Sequence, residues 1–89
     1  MFYVYILECS DKTLYTGYTN CLQTRLNKHN LGIASKYTRG RRPVKYVYTE
    51  NFSDKSAAMK REIEIKSLSK KKKIELIREN SDEPIIRKS

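Results

Sequence analysis

Two short, aromatic-rich segments separated by only four residues begin the chain. Residues 2–9 alternate with a period of two and carry the aromatic and branched side chains typical of β-strands. Residues 14–18 have the same character, and the intervening Ser10-Asp11-Lys12-Thr13 has the composition of a turn. Because the connection is short, we expect an antiparallel hairpin. Gly17 inside the second segment indicates close backbone approach or a bulge.

The remaining sequence predicts one further strand and three helices. Helical periodicity and capping residues place helices at 21–29, 55–68 and 70–77, and alternation places a strand at 44–50. We therefore predict an α+β fold of order β-β-α-β-α-α, in which helices flank a three-stranded antiparallel sheet. A chain of 89 residues is too short for a second core, so we expect a single domain over 1–79 and a flexible tail over 80–89.

Charge points to a polyanionic partner. The chain has 19 Lys and Arg against 10 Asp and Glu, a formal net charge of +9. Such an excess favours nucleic acid over an anionic membrane surface, because phosphates bound by cations release counterions. The predicted loop at 32–43 has four cations and no acidic residue, and we predict phosphate contacts for Lys36, Arg39, Arg41 and Arg42. The run Lys70–Lys73 reads as a solvated helix start, with phosphate binding as the alternative.

Other classes of protein fit the sequence poorly. No stretch approaches the length of a membrane span, and the first residues lack the pattern of a signal peptide. Cys9 and Cys21 are too few for a disulfide framework and are not spaced as metal ligands. We therefore expect a cytoplasmic protein without a membrane partner.

Few side chains in this sequence can do chemistry. There is one histidine, and neither a Ser-His-Asp nor a Cys-His arrangement is recognisable. Phosphodiester hydrolysis needs a group that deprotonates water, a cation that neutralises the phosphate and help for the leaving oxygen. Arg25 and His29 lie four residues apart on a predicted helix, so they share one face and could act at a common target.

Two tyrosine triplets carry a family resemblance. Tyr3-Val4-Tyr5 followed by Tyr15-Thr16-Gly17 resembles the paired motif of the GIY-YIG endonucleases. Tyr3 stands where that family usually has glycine, which is similar to its small stand-alone bacterial group (YazA/YhbQ-like). The resemblance covers about residues 2–77, and its further matching positions are Leu22, Arg25, Leu26, His29 and the segment Ala58–Glu62.

This resemblance implies an endonuclease that uses Mg²⁺ or Mn²⁺ to hydrolyse phosphodiester bonds, with DNA rather than RNA as substrate. In the implied single-metal reaction Tyr15, assisted by Tyr5, activates water while Glu62 holds the metal. Arg25 stabilises the developing negative charge. His29 hydrogen-bonds within the site, either helping to deprotonate a tyrosine or contacting phosphate. We expect the protein to act as a monomer.

Two functions of other classes also suit a small basic domain. One is a catalytically inactive nucleic-acid-binding module, and the other is a protein-interaction or ribosome-associated domain. Neither needs Glu62, because a carboxylate repels phosphate unless a cation lies between them. The pattern therefore favours the nuclease, and it leaves open whether the substrate is branched, single-stranded or duplex.

Overall fold

The computed structural model describes the backbone of residues 1–86 and the side chains of residues 1–80. Three antiparallel strands and accompanying helices confirm the predicted α+β fold class. The elements of this described part are β1 (Phe2–Glu8), β2 (Leu14–Thr19), α1 (Leu22–Asn30), α2 (Lys36–Arg39), β3 (Lys45–Phe52), α3 (Lys55–Lys66) and α4 (Lys70–Ile86). No helix in this part is both long enough and apolar enough to cross a membrane.

The first strand lies in the centre of the sheet. Strand order is β2-β1-β3, and both neighbours run antiparallel to β1. Tyr5 therefore faces Gly17 on one side and Thr49 on the other. Because helices cover both faces of the sheet, four consecutive residues of β1, Val4 to Leu7, are buried.

The sheet separates two apolar cores. On one face Val4 and Ile6 pack with Ala58 and Ile65 of α3. On the other face Tyr5 and Leu7 belong to a second cluster, against which side chains of α1 pack. The period of two in β1 sends alternate side chains to opposite cores. The strand that carries Tyr5 is therefore held from both sides.

Side chains fix the position of α1 on the sheet. The Tyr46 hydroxyl of β3 donates to the backbone oxygen of Leu22 at 2.8 Å, at the start of the helix. At its end, the Asn30 amide pairs with the backbone of Val44, accepting at 2.8 Å and donating at 3.1 Å. Arg25 lies between these two attachments, so its direction is set by both ends of α1.

An ionic network holds α3 against β3. Arg61 binds the Glu50 carboxylate through Nε and Nη2, and the Tyr48 hydroxyl donates to the same carboxylate. Burial would raise the pKa of Glu50, but hydrogen bonds from Arg61 and Tyr48 outweigh it and lower that pKa. Burial, followed by the bond to Glu50, raises the pKa of Tyr48 to about 12. The network fixes the rotation of α3 and so the direction of Glu62.

The helices differ from prediction in their number and in their boundaries. The segment 32–43 was expected to be irregular but contains α2, whose N-terminal Tyr37 N–H donates to the Ser35 hydroxyl. A helix of one turn is too short to show periodicity in sequence. The N-cap of α1 is Cys21 and not Thr19 or Asn20, although the Thr19 hydroxyl accepts from the Cys21 N–H.

The C-terminal helix continues into the segment predicted as a tail. α4 extends to Ile86, and Asn80 Nδ2 donates to the Leu76 carbonyl within it. Neither glycine nor proline occurs between Ser69 and Pro84, so nothing in that stretch stops the helix, and it ends two residues after Pro84. Residues 87–89 of the predicted tail lie outside the described residues.

Two isoleucines on α3 test this packing. Ile65 is fully buried, whereas Ile63 on the same helix is 66% exposed. We expect Ile65→Ala to lower the free energy of unfolding by about 2–5 kcal/mol, because it leaves a cavity in the core. Ile63→Ala, the same chemical change, should shift it by less than about 0.5 kcal/mol. Urea unfolding followed by circular dichroism measures both, and equal effects would contradict the assigned core.

Candidate active site

A cleft of about 420 Å³ lies along β2, the edge strand that precedes α1. Four of the five predicted catalytic residues line it: Tyr5, Tyr15, Arg25 and Glu62. They come from β1, β2, α1 and α3 respectively, so the cleft exists only when the whole sheet and two helices are assembled. Its other lining residues are Phe2, Gly17, Tyr18, Thr19, Asn20 and Lys55.

Gly17 makes room for the phenol of Tyr5. The two residues are cross-strand partners, and a Cβ atom at position 17 would lie 2.5 Å from the Tyr5 Oη. No side chain larger than hydrogen fits there while Tyr5 keeps its position. The sequence predicted close backbone approach or a bulge at Gly17, and the group that lies against it is the side chain of Tyr5.

His29 lies beneath the cleft and not in it. The imidazole is fully buried, with its Nε2 2.9 Å from the Tyr5 Oη and its Nδ1 2.9 Å from the Thr38 Oγ1. The Thr38 hydroxyl is within 3.4 Å of the Ser35 carbonyl, to which it can donate. This assigns the proton of His29 to Nδ1, so the Tyr5 hydroxyl donates to Nε2.

The common target expected for Arg25 and His29 is Tyr5, which both side chains approach. Arg25 lines the cleft, whereas the buried imidazole of His29 cannot contact phosphate in this arrangement. The helix does bring both toward Tyr5, but from different depths. The hydrogen bond that the resemblance implies for His29 within the site is present, and its partner is Tyr5.

Burial keeps the Tyr5–His29 pair neutral. Burial, followed by the nearby Tyr15, raises the pKa of Tyr5 well above its ordinary value and outweighs the opposite effect of Arg25. Burial, together with the charge of Arg25, lowers the pKa of His29 below 6.5. Both shifts oppose proton transfer from the phenol to the imidazole. Tyr5 is thus a fixed hydroxyl and not a ready base.

Tyr15 is held by rings on two sides. Its ring lies edge-on to His29 with centroids 5.3 Å apart, and it stacks on Tyr37 with centroids 5.9 Å apart. The guanidinium carbon of Arg41 lies 4.0 Å from the Tyr37 ring centroid, and Arg41 Nε is 3.1 Å from Asp11. Sequence analysis missed Tyr37, because nothing local distinguishes it inside the basic segment. It supports the phenol of Tyr15.

The four predicted phosphate-binding cations are not equally available. Arg41 pairs with Asp11 and donates to the Tyr37 carbonyl. Arg42 donates to the carbonyls of Arg39 and Asn30. Asp11 from the β1–β2 turn thus supplies a counter-charge that the loop sequence lacks. Within residues 1–80, the exposed side chains of this group that have neither an ion pair nor a hydrogen bond to a carbonyl are those of Lys36 and Arg39.

One carboxylate faces the cleft. Among the described side chains, Glu62 is the acidic residue that lines it, and no cluster of three or more potential metal-ligating residues forms. Its Oε2 is 3.4 Å from Nζ of the exposed Lys66, a weak ion pair that a cation could replace. Mg²⁺ commonly binds one or two carboxylates and completes its shell with water and substrate oxygens. The single carboxylate of Glu62 therefore suits a Mg²⁺ ion that keeps water ligands, and it does not form a cage made of protein ligands alone.

The two tyrosines, the arginine and the glutamate thus line one cleft. Residues 1–75 match the family described as the GIY-YIG catalytic domain, and the chain belongs to that family.

Similar proteins place it within the small stand-alone group, as the sequence indicated. It is 59% identical over 75 residues to a UPF0213 protein of Natronomonas pharaonis, covering 84% of this chain and 88% of that protein. A UPF0213 protein of Staphylococcus haemolyticus is 53% identical over 77 residues, with 86% and 94% covered. The solution NMR structure of the UPF0213 protein BH0048 from Bacillus halodurans superposes with a TM-score of 0.56 at 50% identity, covering 86% and 83%.

Two glycines give a matched test of the cleft. We expect Gly17→Ala to push the Tyr5 hydroxyl away from His29 and to destabilise the fold by about 1–3 kcal/mol through overpacking. A Cβ at Gly40 meets no atom within 4 Å, so Gly40→Ala should have little effect or stabilise slightly. Urea unfolding gives the stabilities, and NMR of the His29 side chain reports the hydrogen bond. Identical behaviour of both variants would contradict the close packing at Gly17.

The lowered pKa of His29 predicts a pH dependence of stability. The unfolded chain binds the proton more tightly than the folded one, so stability is complete above pH 6.5 and falls as pH drops toward the folded pKa. The lowered pKa of Glu50 affects stability below pH 4.5, the ordinary pKa of glutamate. The effects of His29 and Glu50 therefore fall in separate pH ranges. As the pH falls from 6.5 to 4.5, the free energy of unfolding should decline in the wild type and change less in His29→Gln. Parallel profiles would show that His29 is not the titrating group.

Proposed function

We propose that the protein is a metal-dependent endonuclease that hydrolyses phosphodiester bonds in DNA. The observation that carries this proposal is the single cleft in which Tyr5, Tyr15, Arg25 and Glu62 meet from four separate elements. Membership of the GIY-YIG family and the net charge of +9 support a nucleic-acid substrate. A binding module would have no use for Glu62 in the same cleft as Arg25.

Arg25 would bind the scissile phosphate. It projects from α1, which is attached to the sheet at both ends, so its guanidinium needs little reorganisation to meet the substrate. A guanidinium offers several N–H donors to phosphate oxygens and stabilises charge that develops on them. Lys55 at the start of α3 lines the same cleft and adds positive charge from the opposite side.

Tyr15 would accept the proton of the attacking water, and Tyr5 would hold the site in place. The pKa of Tyr5 is raised by burial, and its proton is directed at His29, which leaves the oxygen lone pairs for the cleft. Tyr15 is the more accessible of the two phenols. A phenol becomes a competent base when nearby cations stabilise its anionic form, and Arg25 lies in the same cleft.

Glu62 would hold Mg²⁺ or Mn²⁺, which when bound supplies positive charge at the scissile phosphate. The network between Arg61 and Glu50 keeps α3 in the rotation that points the neighbouring Glu62 into the cleft. Displacing Lys66 from the carboxylate costs little, because Lys66 is exposed and its Nζ is 3.4 Å from the Glu62 oxygen.

Conservative variants test the assigned roles. We expect Glu62→Gln and Tyr15→Phe each to reduce cleavage of DNA by at least about 100-fold with Mg²⁺ or Mn²⁺, while binding is retained. Matched controls are Glu64→Gln, on an exposed position of the same helix, and Tyr3→Phe, outside the cleft. These two should cleave within about threefold of the wild type. The assay uses duplex, single-stranded and branched substrates, with RNA in parallel.

Each result has a distinct meaning. Loss of cleavage in both cleft variants with active controls supports the assignment. Binding without cleavage of any substrate by the wild type would refute the nuclease and leave the inactive nucleic-acid-binding module. Cleavage that survives both cleft variants would place the active site elsewhere.

A further inference from the structure

A second groove lies at the other end of β2. Its volume is about 190 Å³, and it is lined by Thr13, Leu14, Tyr37, Lys70 and Lys73. The β1–β2 turn, α2 and the start of α4 thus meet here, although they are far apart in sequence. None of these side chains was assigned to the catalytic cleft.

The groove and the cleft are neighbours along one strand. Tyr15 lines the cleft, and its ring stacks on Tyr37, which lines the groove. Gly17 of β2 lines the cleft, and Thr13, four residues earlier and immediately before β2, lines the groove. At about 3.4 Å per residue of strand, the two sites are separated by about 14 Å.

The groove is positively charged and uncompensated. No acidic residue lines it, and within residues 1–80 no ion pair holds Lys70 or Lys73. Asp11 is close in sequence to Thr13, but its carboxylate is occupied by Arg41 and by the Thr13 hydroxyl. An anion entering the groove would therefore meet cations without a competing carboxylate.

Two of the four lysines in the run Lys70–Lys73 line the groove. Residues three apart on a helix share a face, so Lys70 and Lys73 both reach the groove. Lys71 and Lys72 are exposed and do not line it. If the run attracted anions only by its net charge, all four lysines would contribute equally to binding. A binding site in the groove depends on Lys70 and Lys73.

We propose that this groove binds a phosphate of the same nucleic-acid strand whose scissile phosphate occupies the cleft. The inference rests on the proposed function. The separation of about 14 Å between the two sites corresponds to a few nucleotides along one strand, because each nucleotide of a strand carries one phosphate. The groove presents two ammonium groups, which suit phosphate oxygens, so the proposed contact is to the backbone and does not read sequence.

Two double variants of equal charge test the site. Lys70→Gln with Lys73→Gln removes the groove lysines, and Lys71→Gln with Lys72→Gln removes their neighbours on the same turn. Binding of fluorescein-labelled oligothymidylate is followed by anisotropy in EDTA over a range of salt. One oligonucleotide is long enough to reach from cleft to groove, and the other is too short. Circular dichroism verifies that both variants are folded.

We expect the groove variant to bind the long oligonucleotide at least about tenfold more weakly. Its slope of log affinity against log salt should fall by about 1.4, the value for two lost contacts to a single strand. The neighbour variant should lose less than about threefold, and both should bind the short oligonucleotide alike. Equal weakening by the two variants, or weakening that is independent of oligonucleotide length, would overturn the proposal.

Failure of this inference is distinguishable from failure of the proposed function. Binding in EDTA requires no chemistry, so a groove effect without any cleavage in Mg²⁺ would keep the phosphate site and reject the nuclease. Cleavage by both double variants at wild-type rates, with equal affinities, would keep the nuclease and reject the groove.

Discussion

The hydrogen bond between Tyr5 and His29 connects the sheet to the helical layer beneath the cleft. It requires a glycine at position 17, since any Cβ there would occupy the place of the phenol. It also requires an imidazole that is held from behind by Thr38. The Tyr15 ring contacts the same imidazole, so the hydrogen bond that positions His29 also helps to position Tyr15. Burial keeps Tyr5 and His29 neutral, so the charged groups among the candidate catalytic residues are Arg25 and Glu62.

Much of this arrangement was readable from the sequence because its signals are local. Alternation in residues 2–9 and 14–18 located the hairpin, and the paired tyrosine triplets located two site residues. The i, i+4 spacing of Arg25 and His29 was correct as a helical spacing, but it could not show that one residue would be buried. Depth depends on which elements pack over a residue, and local spacing does not contain that information.

The features that sequence analysis missed depend on pairs distant in the chain. Asp11 neutralises Arg41 across 30 residues, so the segment that looked uncompensated has a partner in the β1–β2 turn. Tyr37 supports Tyr15 only because α2 folds over the end of β2. Lys70 and Lys73 share a groove with Thr13 for the same kind of reason. Such contacts follow from topology, and no short window of sequence reports them.

The position of β2 at the edge of the sheet has a consequence for how copies of this chain meet. An edge strand presents unpaired backbone groups, and such edges invite pairing with another strand unless charge or bulk prevents it. β2 itself, Leu14–Thr19, has no charged residue. The cations around it come from neighbouring helices, Arg25 and Lys55 at one end and Lys70 and Lys73 at the other. The side chains suited to attract a phosphate backbone thus also repel a second copy of the same edge, so one set of charges would serve both recruitment of substrate and protection against aggregation.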